Sequence, residues 1–313
     1  MPPDILRTPA SMRNFRRQLL AWYGAHRRDL PWRRTRDPYR IWVSEIMLQQ
    51  TRVAAVLEHY KSFLKRFPRI KDLAAAEEAD VLAVWSGLGY YRRARMLHRA
   101  ANLLTDERRG RLPRSSTELR QLPGIGRYTA NAVASIAFGE PVAVVDGNVE
   151  RVLVRIAGTC LAGQEVWSAA QTLLDPANAG DFNQAMMELG ATICVAGVPR
   201  CSGCPVKRQC ISRGLKQDTV AIPETRLRRS ASLLLISHNG KVMLRQRPLT
   251  ATIMGGMWEL PESMREPPHT VKSLPKTAEL AAAQPDGGQP NASRPSAPRL
   301  DATATAQRNA KAA

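Results

Sequence analysis

The chain has 313 residues, 44% of them hydrophobic, enough for a true core in one large domain or two. Its formal net charge of +19 and pI near 10.6 call for a polyanionic partner, nucleic acid first and a membrane surface as the rival. No apolar run approaches the ~18 residues of a membrane span, and the N-terminus MPPDILRTPASMRNFRRQLLAW lacks a secretory apolar region. The expectation is a cytoplasmic protein without a membrane partner.

Residues 13–26 are patterned as an amphipathic helix with Phe15, Leu19, Leu20 and Trp22 on one side. The charged break Arg27-Arg28-Asp29-Leu30-Pro31-Trp32-Arg33 reads by itself as a solvated loop. Asp37-Pro38 is a helix start, a cap residue followed by proline at the first position. The helix continues to Leu48 and carries Glu45 among Ile41, Trp42, Val43, Ile46, Met47 and Leu48. On pattern alone an exposed polar face is the better reading for Glu45. If buried, the carboxyl keeps its proton to higher pH and becomes a general acid. Helical patterns fill 53–105. Within them Gly87-Leu88-Gly89-Tyr90-Tyr91-Arg92-Arg93-Ala94 leads into a basic ridge of Arg92, Arg93, Arg95 and Arg99.

The organising stretch is LPGIGRYTANAVASIAFGEPVAVVDGNVERV, residues 122–152. Gly124 and Gly126 allow a sharp turn that leaves amides uncovered at the start of the helix Tyr128–Phe138, where a phosphate is favoured. An apolar run, Val142 to Val145, leads to Asp146-Gly147-Asn148, which opens another helix. The plain reading of Asp146 is an N-cap; the functional one is a carboxylate facing the bond to be cut.

Cys194, Cys201, Cys204 and Cys210 are separated by six, two and five residues. In a reducing compartment this spacing suits zinc or an iron–sulfur cube, with unligated thiols as the plain alternative. Two separated C-x-x-C knuckles are absent, and Pro205 and the compact span favour one [4Fe–4S] cluster. Cys160 reads as a small core residue. Residues 211–228 read as a basic linker. Ala231–Ile236 and Lys241–Gln246 are strand-like around the turn His238-Asn239-Gly240, and GGMWELP is a further turn and strand. Residues 263–313 lack aromatics and are rich in Pro, Ala, Ser and Gln, so they are expected to be disordered.

The segments IWVSEIMLQQT, WSGLGYYRRARMLHRA, LPGIGRYTA, VDGNVERVL and NQAMMELG, with the four cysteines, stand in the order and spacing of MutY-type adenine DNA glycosylases. The chain resembles that family over residues 13 to about 212. The resemblance implies a mostly α fold of the helix-hairpin-helix DNA glycosylase kind in two helical subdomains. The glycosylase domain spans 1–228, with its hairpin at about 115–135 and a [4Fe–4S] loop at 194–210. It further implies base excision repair as a monomer: removal of adenine paired with 8-oxoguanine or guanine in double-stranded DNA, after base flipping. Glu45 matches the family's acid, acting at N7 of adenine and then on water. Asp146 matches the carboxylate that faces the sugar, and Tyr128 the tyrosine that supports the pair. Trp32, Arg33 and Glu188 match the adenine pocket; Gln50 and Tyr90 match the wedge into the duplex; Gly124 and Gly126 match the hairpin's phosphate contact.

Endonuclease III-type glycosylase/lyases for damaged pyrimidines share the fold but carry an attacking lysine where this chain has Tyr128. No lysine occurs between Lys71 and Lys207, which points to a monofunctional enzyme. A DNA-binding relative without catalysis is the other alternative, against which Glu45 and Asp146 stand. The family ends in a Nudix-like domain that reads 8-oxoguanine. Residues 229–262 resemble its opening strands, RRSASLLLISHNGKVMLRQRP and GGMWELP, and the rest is missing. The expectation is an eroded or frame-shifted module with weakened lesion reading.

Overall fold

The structure, a computed structural model, describes residues 8–213, 233–248, 250–251 and 255–262, all within one compact unit, Met1–Ser263. Helix α1 (Pro9–His26) is capped by Thr8, whose hydroxyl accepts from the Ser11 amide, and buries Phe15, Leu19 and Tyr23. The apolar stripe expected at 13–26 is therefore present, with Tyr23 in the core where Trp22 was expected and Trp22 half-buried. Helix α2 (Pro38–Leu48) starts at Asp37, whose carboxylate accepts from the Arg40 amide at 2.9 Å.

Helices α3 (Val53–Arg66), α4 (Ile70–Ala74), α5 (Glu78–Trp85), α6 (Arg92–Arg108), α7 (Ser116–Leu119) and α8 (Arg127–Phe138) complete the first half. Trp42, Phe63, Phe67, Trp85, Leu97 and Leu104 fill the core that these helices share with α2. Helices α9 (Gly147–Ala157), α10 (Gln164–Leu173) and α11 (Ala179–Thr192) form a second core around Leu153, Leu173, Phe182 and Leu189. The N-terminal helix α1 packs here, against α11, and Val206 joins the same core, so residues from both ends of the 8–213 stretch close this half. α11 contacts α8 as well as α9, which joins the two cores along one side. Two helical halves with a cleft between them follow.

The run Val142 to Val145 forms no strand. It is extended, and side-chain amides take the place of a ladder. Gln171 Oε1 accepts from the Ala143 amide at 2.9 Å and Asn183 Oδ1 from the Val144 amide at 3.1 Å. Asn131 donates to the Ala143 carbonyl at 2.7 Å and Asn183 to the Val142 carbonyl at 2.9 Å. An isolated extended segment inside helices has no strand partner, so buried amide side chains satisfy its backbone. This fixes the path into Asp146.

In the C-terminal fragment, β1 (Ser237–His238) pairs antiparallel with β2 (Lys241–Val242) across Asn239 and Gly240, both at positive φ. β3 (Arg245–Gln246) pairs with β4 (Trp258–Glu259). Of the strand expected over 231–236, the described residues 233–236 form only the isolated bridge from Leu233 to Glu262; the strand expected over 241–246 breaks into β2 and β3, and His238, expected in the turn, ends β1. The apolar residues of this fragment are covered by no second layer among the described residues: Leu235 is 72% exposed and Trp258 63%. Most of the expected linker and the whole expected tail, 263–313, lie outside the described residues.

Candidate active site

Four elements meet at the cleft. α2 brings Glu45, the start of α8 brings Tyr128, the start of α9 brings Asp146, and α11 brings Glu188. With Trp32, Arg33, Arg28, Asn148, Gln184 and Met187 they line a cavity of about 230 Å³. That is below the ~300 Å³ at which drug-sized pockets begin and suits a single base. A larger cleft of about 650 Å³ between α4, the 110–114 turn and the end of α8 has Asp37 as its one lining carboxylate, already engaged as the α2 cap.

Glu45 is 5% exposed. The exposed-face reading fails because both faces of α2 pack at this level. Burial pushes its carboxyl up to about 7; the Tyr128 hydrogen bond opposes the rise and the Asp146 charge adds to it. The Tyr128 hydroxyl donates to Glu45 Oε2 at 2.8 Å and lies 3.4 Å from Met187 Sδ. Burial, then the neighbouring carboxylates, hold the Tyr128 phenol well above its ordinary range, so it remains a donor. Oε2 is thus taken as an acceptor, and Oε1 is the oxygen open to carry a proton when the carboxyl is neutral.

Asp146 is an N-cap and a cavity-lining carboxylate at once. Its Oδ1 accepts from the Val149 amide at 2.7 Å, and its Oδ2 accepts from Asn148 Nδ2 at 3.0 Å. Asn148 in turn accepts from Arg151 Nη2 at 2.8 Å, and Arg151 also donates to the Gly190 and Cys194 carbonyls at 2.7 and 2.9 Å. A Cβ on Gly190 would stand 2.7 Å from Asn148 Cβ, so only glycine lets α11 approach this closely.

Glu188 is fully buried and saturated. It accepts from the Arg28 amide at 3.0 Å, from Arg28 Nε at 2.9 Å and Nη2 at 2.7 Å, and from Arg33 Nη2 at 2.7 Å. Burial acts to raise its carboxyl, but the Arg28 and Arg33 hydrogen bonds outweigh it and hold it down at about 2. Arg28 was missed by sequence reasoning. Its run looked like a solvated loop, yet backbone and side chain both grip Glu188; Pro31-Trp32 nearby, with Trp32 buried against Tyr60, was the available signal.

Gln50, Tyr90, Gly124 and Gly126 lie outside this cavity. Gln50 and Tyr90 are exposed and both left-handed, φ 53° and 49°. Gly124 has φ 76°, and a Cβ there would meet Met96 Cβ at 2.5 Å, so the hairpin packs on α6 only as glycine. Gly126 caps α8 without a side-chain hydrogen bond to its first amides. The basic ridge is not a single surface: Arg92 and Arg99 are exposed, whereas Arg93 turns inward and Arg95 pairs with Glu78 at 2.9 Å and the Gly255 carbonyl.

Cys194, Cys201, Cys204 and Cys210 line one small cavity with Arg155, Lys207 and Arg213. Arg155 Nη1 lies 3.4 Å from Cys194 Sγ, and Cys210 Sγ lies 3.4 Å from the Arg155 carbonyl. Burial, above all, pushes the Cys204 and Cys210 thiols up to about 11, with the other cysteines adding to it. Among the described residues no three of His, Cys, Asp or Glu are gathered around a single metal-ion position. Cys160 is exposed, against the expectation of a core residue, because it follows the end of α9.

Residues 43–162 match the HhH-GPD superfamily base excision DNA repair protein family. The adenine DNA glycosylase of Homo sapiens is 48% identical over 224 residues, covering 67% of this chain and 41% of the human protein. That of Buchnera aphidicola subsp. Acyrthosiphon pisum (strain APS) is 39% identical over 208 residues, covering 64% of this chain and 59% of that protein. The chain thus spans about half the length of these relatives. A thermostable thymine-DNA glycosylase structure superposes with a TM-score of 0.61 at 32% identity, covering 64% of this chain and 96% of that one. A trapped endonuclease III–DNA covalent intermediate superposes at 0.57 and 27% identity, covering 66% of this chain and 96% of that one. The chain belongs to the HhH-GPD superfamily of base excision DNA repair proteins, in its MutY-type adenine glycosylase branch.

Proposed function

We propose that this chain is a monofunctional adenine DNA glycosylase acting on A:8-oxoguanine and A:G mispairs in duplex DNA. The observation that carries the reading is Glu45, buried between Tyr128 and Asp146 with its carboxyl pushed up to about 7. The extruded adenine occupies the cavity. Glu45 gives its Oε1 proton to N7. The C1′–N9 bond breaks, its electron pair leaving with the base, and Asp146 opposes the positive charge on the sugar. The Glu45 carboxylate then takes a proton from the water that adds at C1′. Arg33 faces the base's edge, fixed from behind by Glu188, and Trp32 supports the wall. Gln50 and Tyr90 occupy the gap left in the stack, and the amides after Gly124 and Gly126 hold the backbone phosphate.

The endonuclease III-like reading requires an amine at Tyr128, and none is there. The four thiols, with Arg155, Lys207 and Arg213 around them, fit the [4Fe–4S] cluster that the family resemblance implies; four thiolates alone would also suit zinc, and the six, two and five residue spacing with Pro205 favours the cluster. Bound there, the cluster supplies a four-point cross-link for the 194–210 loop, and Arg155 holds the loop to α9. Residues 229–262 are an incomplete Nudix-like module, following a glycosylase domain over 1–228.

Single-turnover base release from A:8-oxoguanine, A:G and A:T duplexes, with borohydride added in parallel, tests this. Release from the first two without a trapped adduct is expected. Trapping at the rate of base release, or release of pyrimidines alone, overturns it.

A further inference from the structure

One arginine joins two segments that arrive from different parts of the chain. Gln50 lies two residues past the end of α2, and Tyr90 sits in the loop before α6. Both hold left-handed backbone that side chains larger than glycine adopt reluctantly, and Tyr90 is 61% exposed. Local sequence does not favour these poses, so the surroundings must impose them.

Arg93, in the first turn of α6, does so. Its Nη1 donates to the Ile46 carbonyl at 2.8 Å, the Met47 carbonyl at 3.1 Å and the Gln49 carbonyl. Its Nη2 donates to Thr51 Oγ1 at 3.1 Å and to the Leu88 and Gly89 carbonyls, both at 3.3 Å. The guanidinium carbon is 5.3 Å from the Tyr90 ring centroid and 5.6 Å from that of Trp85. None of these acceptors is a carboxylate. The charge is met by carbonyls at the C-terminal end of α2, which lack helical partners and carry the negative end of the helix dipole. On the other side it meets two aromatic faces. Only a planar fork reaches both segments at once; a lysine offers a point charge with three donors and no plane.

We propose that Arg93 is a positioning residue that locks Gln50 and Tyr90 in their left-handed, exposed poses, so that the duplex meets a preformed wedge. The proposal rests on the wedge role given above to Gln50 and Tyr90. Arg93 differs from its exposed neighbours Arg92 and Arg99 in contributing to DNA engagement without a phosphate contact.

The test uses the full chain with Arg93→Lys, Arg93→Met and Thr51→Val, the last removing one acceptor without altering α6. Amide hydrogen exchange of the free protein is measured over 49–51 and 88–91. Flipping is read from the fluorescence of duplexes carrying 2-aminopurine in place of the target adenine. Both Arg93 variants should raise exchange in those two segments and lower flipping and single-turnover excision on the order of 10- to 100-fold, with Thr51→Val smaller in the same direction. In a Gln50→Ala, Tyr90→Ala background Arg93→Met should add little, since the three act as one unit. Unchanged exchange, or a full additive loss in that background, overturns the proposal. Intact flipping in Gln50→Ala, Tyr90→Ala alone instead removes the wedge reading, and the exchange data then decide the Arg93 tie separately.

Discussion

The two walls of the cleft each bury a glutamate, and the two behave oppositely. Glu45 on α2 is opposed by a neutral hydroxyl and a carboxylate and is pushed up to about 7. Glu188 on α11 is gripped by two arginines and held down at about 2. Burial is common to both, so partners decide which one holds a proton at neutral pH. One wall therefore offers an acid, while the other offers a fixed anion whose work is to hold two cations in place.

Exchanging the chemistry of the first wall should have the largest effect. Glu45→Gln keeps the shape and the Tyr128 contact but has no proton to give; single-turnover excision should fall about 10²–10⁴-fold while duplex affinity persists. Near-normal excision would remove Glu45 from its role. Asp146→Asn retains a cap oxygen and should lose excision comparably.

The second wall should break through stability instead. Glu188→Ala leaves Arg33 buried without its anion while Arg28, half-exposed, turns to water, a loss of about 3 kcal/mol in denaturant unfolding, the low end for a broken buried pair. A loss below about 1 kcal/mol would mean that the arginines reach water readily and that the wall is not preorganised. Cys201→Ser should come next: lower iron content, lower folded yield and weaker DNA binding. One zinc and no iron after anaerobic purification would contradict the cluster. The smallest change is expected from deletion after Arg229, because the fragment's ladders are two residues long and its apolar residues are exposed. The A:8-oxoguanine to A:G rate ratio should shift little, and a large loss of preference would show that the fragment works as a reader.

How much of this was legible in the sequence differs between the walls. The Asp37 cap, the Gly124-Ile125-Gly126 turn and the Asp146 helix start depend on contacts a few residues apart, and they stand where local rules put them. Glu45 was visible only as a choice between faces, because its burial depends on Tyr128 and α11, remote in sequence. Arg28 and Arg93 were invisible for the same reason. A run of arginines reads as solvated until the carbonyls and carboxylate that claim them are brought in by the fold. The run Val142 to Val145 had strand composition, yet its partners are the side chains of Asn131, Gln171 and Asn183, which no periodicity encodes.

The central claim is that Glu45 is the acid and holds its proton to about pH 7. Its folded value lies above the ordinary carboxylate value. The protonated group's contribution to stability is thus full below the unfolded pKa near 4.5 and lost as pH rises through about 7. Catalysis by the acid form fades over the same upper limb. The most direct measurement is the single-turnover excision rate from an A:8-oxoguanine duplex across pH 5 to 9, on the native chain and on Glu45→Gln. The account predicts a native rate that falls tenfold per pH unit above about 7 and a residual Glu45→Gln rate without that limb. A native rate that stays level through pH 9, or a Glu45→Gln profile with the same falling limb, would contradict it.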